Sequence, residues 1–302
     1  MIEQTATSPT TKIEPRRPPK VESIWLDAIR RLSRQPLSIF SGAIVTILIL
    51  TALFGPILAP HDPNAIDMAN RFAPPSVTYP FGTDDFGRDI LSRIMVGARV
   101  SLQVGLISVG LSATVGAILG LIAGYAGRLT DEAIMRAMDI LFAFPAILLA
   151  IAIMAALGRG VGNAMIAIGI VYVPIFARIA RGSVLSVREE EFVEAARAVG
   201  ATDTRIMFRH IFPNILSPLI VETTLSLSFA ILAEAALSFF GLGTPPPDPS
   251  WGRMLSEGRA YFQQSVWLGI FPGLAIMLTV MGFNLLGDGL RDALDPRLKN
   301  VR

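Results

Sequence analysis

Glu191 to Asn214 reads EFVEAARAVGATDTRIMFRHIFPN, a charged, alanine-rich stretch set between two long apolar runs. Ala195, Ala196 and Ala198 alternate with Glu191, Glu194 and Arg197, which are strong helix formers, and Gly200 follows where a helix C-cap belongs. Thr202 and Asp203 are both suitable N-caps, so a second short helix is expected from there to His210, after which Phe212-Pro213 turns the chain. In the first helix Phe192, Ala195, Ala196 and Val199 fall at i, i+3, i+4 and i+7 and form one apolar face. Helices this short are marginal alone in water. They must pack on the bilayer, on the chain's own spans, or on a soluble partner.

The chain around this insert is too apolar for a soluble domain: 52% of its 302 residues are hydrophobic and 17% charged, with a mean hydropathy of +0.56. There is no cysteine, which removes disulfides and thiolate metal sites, and the two histidines, His61 and His210, are far apart. His61, beside Asp62 and Pro63, is expected to cap the outer end of the first span, and His210 to pack or hydrogen bond. A net charge of +2 on so apolar a chain argues against nucleic acid as a partner.

Six apolar runs are long enough to cross a hydrocarbon core of ~30 Å. They cover 38–59, 101–125, 140–157, 164–180, 218–241 and 266–287. The expectation is an all-α integral membrane protein, with residues 1–37 as a tail whose first ~20 residues are disordered, and residues 38–302 as the membrane domain. The first run is too long for a signal-peptide core and reads as an uncleaved anchor. Alternate connecting segments carry 7, 2, 6 and 4 Lys and Arg on one side and 4, 1 and 2 on the other, a split of 19 to 7. The positive-inside rule then places both termini, and the 188–213 insert, in the cytoplasm.

Polar groups within the runs are the candidates for a permeation path, because a carboxylate at the membrane centre costs at least ~2.5 kcal/mol and usually faces a cavity or a partner. Glu222 and Glu234 both lie in the fifth run. Glu234 reads either as a pore or inter-subunit contact, or as a group near the outer interface that meets Arg253. Gly105, Ser108, Gly116, Gly120 and Gly124 suit close helix packing in the second run. Pro145 and Pro174 imply kinks, static or serving opening. The proline-rich stretch before Trp251 reads as a stiff spacer, with Trp251 either part of a docking surface or an interfacial aromatic anchor. No Gly-Lys pair exists anywhere, so the phosphate cradle GxxxxGK[ST] is missing and the chain is not expected to bind ATP itself. Neither a zinc signature nor a Ser/His/Asp constellation is present, and no inverted repeat of the kind found in secondary transporters is evident.

Glu194-Ala195-Ala196, then Gly200, then His210-Ile211-Phe212-Pro213 resembles the EAA loop of bacterial binding-protein-dependent ABC importer permeases. That pattern is EAA, three residues, Gly, nine residues, Ile, any residue, Leu, Pro; His210 and Phe212 stand here in place of its Ile and Leu. PFGTDDFGRDILSRIMVGARVSL (Pro80 to Leu102), EAALSFFGLGTPPPDPSWGRML (Glu234 to Leu255) and DGLRDALDPRLK (Asp288 to Lys299) are similar to segments of the dipeptide, oligopeptide and nickel permease group, C-type subunit. The resemblance covers nearly everything from about residue 25 onward and implies the type I importer permease fold. It further implies a coupling segment at 188–213 in which Glu194, Ala195, Ala196, Gly200, Arg205, His210 and Pro213 engage an ATPase groove. Trp251, Gly252 and Arg253 are implied as contacts for an external solute-binding protein. The implied partners are a second homologous permease, that binding protein, and two cytoplasmic ATP-binding subunits carrying ATP and Mg; no cofactor is expected on this chain. The group's solutes are small peptides, nickel complexes and glutathione-like molecules.

Overall fold

The computed structural model describes residues 30–294. The expected disordered tail over the first residues and the last part of the 288–299 segment lie outside the described residues. Apart from one isolated bridge between Thr83 and Asp89, the regular secondary structure of the described residues is helical, with five helices long and apolar enough to cross a membrane, or six if one sharply bent pair counts as a span. The bundle is an all-α membrane fold.

Helix α1 (Pro36–Leu58) opens with a proline in its first turn, where a missing N–H costs nothing. Helix α2 (Ile90–Ala126) begins well before the apolar run 101–125. Asp89 caps it, its carboxylate accepting from the Ser92 backbone N–H at 3.1 Å. At 37 residues it is about 55 Å long. Gly127, with φ of +65°, ends it and turns the chain into α3 (Arg128–Phe142).

The third expected span, 140–157, divides. Residues up to Phe142 belong to the amphipathic α3, and a 93° bend separates it from α4 (Ala146–Leu157). Pro145 sits at the N-cap of α4, where its ring and missing N–H interrupt the helix ladder. Twelve residues make about 18 Å, short of a full crossing. Two ion pairs hold α3 against α5 (Val161–Val187): Asp131 with Arg181 through two N···O contacts of 2.5 and 2.6 Å, and Asp139 with Arg178 at 2.6 Å. Pro174 is accommodated inside α5 without a break.

Helices α2 and α5 make the largest interface of the bundle. Gly116, Gly120 and Gly124 form a ladder down α2 on which α5 lies directly: a Cβ on Gly116 would stand 2.6 Å from the Val173 carbonyl oxygen, and one on Gly124 2.8 Å from Val184 Cβ. Only glycine permits this approach.

The short helix α6 (Glu191–Ala198) follows. From Asp203 the chain is then continuously helical to Phe239, in four windings: an α-turn at Asp203–Arg205, π at Ile206–Ile211, 3-10 at Phe212–Ile215, and α7 (Leu216–Phe239). Phe212-Pro213 therefore does not turn the chain out of the helix as expected. The Phe212 N–H donates to the Met207 carbonyl, and the Asn214 side-chain amide donates to the His210 carbonyl at 2.6 Å, serving acceptors that Pro213 disturbs. Helices α8 (Trp251–Arg259) and α9 (Trp267–Leu294) complete the described chain.

Candidate functional site

The 188–211 segment is fastened to its own bundle on one face only. Val193 and Ala196 on α6 are buried and join Ile206, Ile211 and Val184 in one cluster. The expected face of Phe192, Ala195, Ala196 and Val199 is not the buried one. Phe192 is 42% exposed and Val199 84% exposed, with Ala195 and Glu194 beside them; of the four, Ala196 alone turns inward. A sequence with apolar residues on both sides of a two-turn helix does not tell which side faces the chain.

Gly200 makes the corner. Its φ is +81°, its N–H donates to the Arg197 carbonyl at 2.9 Å, and the Ala201 N–H donates to the Ala196 carbonyl at 3.0 Å. This is the Schellman termination, and the left-handed residue in it favours glycine. Nothing of the chain lies within 4 Å of where a Gly200 Cβ would stand, so the corner is open outward. Arg205 and Pro213 are exposed and His210 is half-buried.

Three residues that the motif did not single out hold the segment to the foot of α2. Tyr125 donates its hydroxyl to Asp203 Oδ1 at 2.6 Å, Arg197 lies over the Tyr125 ring at 5.8 Å, and Arg188 donates to the Gly124 carbonyl at 2.8 Å. A tyrosine at the end of an apolar run was the signal available for the first of them.

At the other end of the bundle Trp251 is 2% exposed, and its indole N–H donates to the Ile94 carbonyl at 3.0 Å. A Cβ on Gly252 would overlap the Ala235 backbone. Both residues seat α8 on α2 and α7, which removes them as surface contacts and removes Trp251 as an interfacial anchor. Arg253 is half-buried and pairs with Glu257 at 2.6 Å, not with Glu234, while its Nη1 donates to the Thr244 carbonyl. Glu257 in turn lies 3.4 Å from Arg88 and 3.7 Å from Arg93, and Arg88 pairs with Asp84 at 2.6 Å. This mostly buried network joins α8 to the loop that enters α2. His61 also ties that loop down: its backbone N–H donates to Ser92 Oγ at 3.0 Å, so it anchors the start of α2 rather than capping α1.

Glu222 is half-buried and accepts from Ser226 Oγ at 3.0 Å. Glu234 is 1% exposed, enclosed by its own chain, with Ser238 Oγ donating to Oε1 at 2.6 Å and Ser101 Oγ reaching Oε2 at 3.4 Å. It faces neither a pore nor a second subunit. Of its serine partners, Ser238 lies one turn on in the same run, whereas Ser101 comes from α2, 133 residues earlier, and gave no signal in the pattern of the fifth run.

The described residues form a bundle of helices long and apolar enough to cross a membrane, with a short anchored helix that turns an apolar face outward at one end. The chain belongs to the family described as the binding-protein-dependent transport system inner membrane component, which it matches over residues 116–300. Residues 23–75 match the N-terminal TM domain of oligopeptide transport permease C. A dipeptide transport system permease protein, DppC, of Alkalihalophilus pseudofirmus is 51% identical over 95% of this chain and 96% of its own. A glutathione transport system permease protein, GsiD, of Escherichia coli is 46% identical over 94% of each. Among solved structures, an inward-facing form of the MetNI methionine ABC transporter contains a chain that matches with a TM-score of 0.55 at 18% identity, over 67% of this chain and 96% of that one; it shares the fold. The chain is thus a multi-pass permease subunit of an ABC importer, of the group that the motifs from residue 80 onward pointed to.

Proposed function

We propose that the chain pairs with a homologous permease to form half of the translocation path for di- or oligopeptides or similar small solutes. Two cytoplasmic ATP-binding subunits bind ATP and Mg and hydrolyse the nucleotide, and an external solute-binding protein delivers the cargo. The observation that carries this reading is the exposed set Phe192, Ala195 and Val199 beside Glu194, presented by a helix whose opposite face is buried in the bundle. An apolar surface with a carboxylate at its edge fits a cleft with a basic rim on a soluble partner, and a helix pair pinned at its base transmits the motion of that partner where a floppy loop absorbs it.

The 19 to 7 division of Lys and Arg supports a bacterial inner-membrane orientation with both termini and the 188–213 segment in the cytoplasm. Peptides as cargo are supported by the relative described as a dipeptide permease. Glutathione-like solutes form the second reading, supported by the 46% identical glutathione permease relative.

The test is uptake into proteoliposomes holding this chain, its partner permease and the ATP-binding subunits, with the binding protein outside and ATP enclosed on the side of residues 188–213. Labelled dipeptide should accumulate only with ATP and the binding protein, and an excess of glutathione as competitor separates the two cargo readings. Uptake by the chain alone, driven by an ion gradient, would overturn the proposal.

A further inference from the structure

A single side chain of α2 touches both arms of the corner at Gly200. Tyr125, half-buried one residue before the end of α2, donates its hydroxyl to Asp203 Oδ1 at 2.6 Å, and the Arg197 guanidinium lies 5.8 Å from the centre of its ring. Arg197 belongs to α6, and Asp203 opens the helical run that follows the corner. Beneath the arms Val193, Ala196, Ile206 and Ile211 gather in one apolar cluster, which holds the arms down but is non-directional. A hydroxyl donating to a carboxylate is directional and charge-assisted. It fixes the angle at which the two arms stand to α2.

The foot of α2 takes a second tie from the start of the segment, where Arg188 donates to the Gly124 carbonyl at 2.8 Å. From there up to Ile90 α2 keeps one α-winding without a proline, and the glycine ladder seats it directly on α5. At its far end the Trp251 indole of α8 donates to the Ile94 carbonyl at 3.0 Å, and Arg93 Nη1 donates to the Pro63 carbonyl at 3.0 Å. Ile94 and Tyr125 are 31 residues apart in this one helix, about 46 Å along its axis. The run from Asp203 into α7 leads to the same end of the bundle, but it changes winding three times before Leu216, and such changes are where a helix yields.

We propose that Tyr125 is a positioning residue that clamps both arms of the Gly200 corner to α2, so that a motion of the 191–211 segment is carried by α2 to the loop and helix at the opposite end of the bundle. This rests on the proposed function for the source of the motion, the ATP-binding subunits, and adds the residue and the helix that carry it.

The test uses the full complex in proteoliposomes and two readouts. The first is labelled dipeptide taken up per ATP hydrolysed. Tyr125→Phe, which removes one oxygen and keeps the ring, should lower that ratio by about threefold, with subunit assembly retained. Asp203→Ala should lower it by a similar factor, and the double variant should be no worse than Asp203→Ala, because the two groups act through one hydrogen bond. Asp203→Asn, which keeps an acceptor oxygen, should recover most of the loss. The second readout is hydrogen exchange within the complex. Amides of 197–204 should exchange about fivefold faster in Tyr125→Phe, with the buried part of α2 unchanged.

An unchanged uptake ratio in Tyr125→Phe overturns the proposal, as does a double variant that falls by the product of the two single losses. Loss of subunit assembly in Tyr125→Phe marks a merely structural role and overturns it too. Failure of the proposed function shows itself elsewhere, as a native complex in which hydrolysis drives no uptake. Exchange in 197–204 then decides the clamp by itself: faster exchange in Tyr125→Phe upholds it, and unchanged exchange overturns it.

Discussion

Ile206 and Ile211 are five residues apart and both fully buried, on the same side of the chain. In an α-helix that spacing would turn one of them away; the π winding over Ile206–Ile211 keeps them in line and passes the stripe on to Ile215 and Leu219 at α-helical spacing. Removing one residue from this winding, as in deletion of Met207, should rotate α6 and Gly200 relative to α7. Cross-linking of Val199→Cys to an ATP-binding partner should then be lost, while helix content by circular dichroism stays within error of the native value.

Gly200 stands at φ +81° with open space around it, so its substitution costs backbone strain and no clash. Gly200→Val should cost on the order of 1–2 kcal/mol locally. Hydrogen exchange would report it as faster exchange in 191–201, with α2 and α5 unchanged. Gly200→Asn, which tolerates the left-handed region, should show a clearly smaller effect.

The ladder on α2 gives a contrast within one helix. Gly120 leaves no room for a side chain against Ala177 and Ala180, while Gly110 has nothing within 4 Å. Gly120→Leu should destabilise the fold by about 3 kcal/mol or more through overpacking, seen as a lower unfolding temperature in detergent, and Gly110→Leu should leave it unchanged.

Much of this architecture is legible in the chain and some is not, for identifiable reasons. Apolar runs mark the spans because lipid demands them. The run 140–157 hides the 93° bend because hydropathy weighs side chains, whereas Pro145 acts on the backbone. The early start of α2 is hidden by Arg93, which reads as a surface residue and is 1% exposed, paired with Asp84 and Glu257. The EAA pattern located the 191–213 segment but not its buried face, which depends on Ile206 and Ile211 folding back over Val193 and Ala196. Glu234 and Trp251 were singled out as unusual residues, yet their partners, Ser101 and Ile94, come from a helix more than 130 residues earlier.

In the loop before α2, burial raises the Asp85 carboxyl above its usual range, and neighbouring Asp84 adds to the shift, outweighing Arg88 at 3.6 Å. A carboxyl raised in the folded state costs stability when ionised, and the cost is present above its folded value and vanishes below the unfolded one near 3.8. Asp85→Asn should therefore raise the unfolding temperature at neutral pH. The difference from the native chain should shrink as pH falls through the range between the two values. A variant less stable than native at pH 7 would mean that the Arg88 contact outweighs burial.

The most direct test of the coupling role is co-purification in mild detergent of the tagged native chain and of Ala195→Arg, which alters an exposed side chain on α6 and nothing in the core. The native chain should bring down a second permease and the ATP-binding subunits, and the variant should keep the permease and lose the ATP-binding subunits. Retention of those subunits by Ala195→Arg at native levels would contradict the assignment of the 191–211 segment as their docking element.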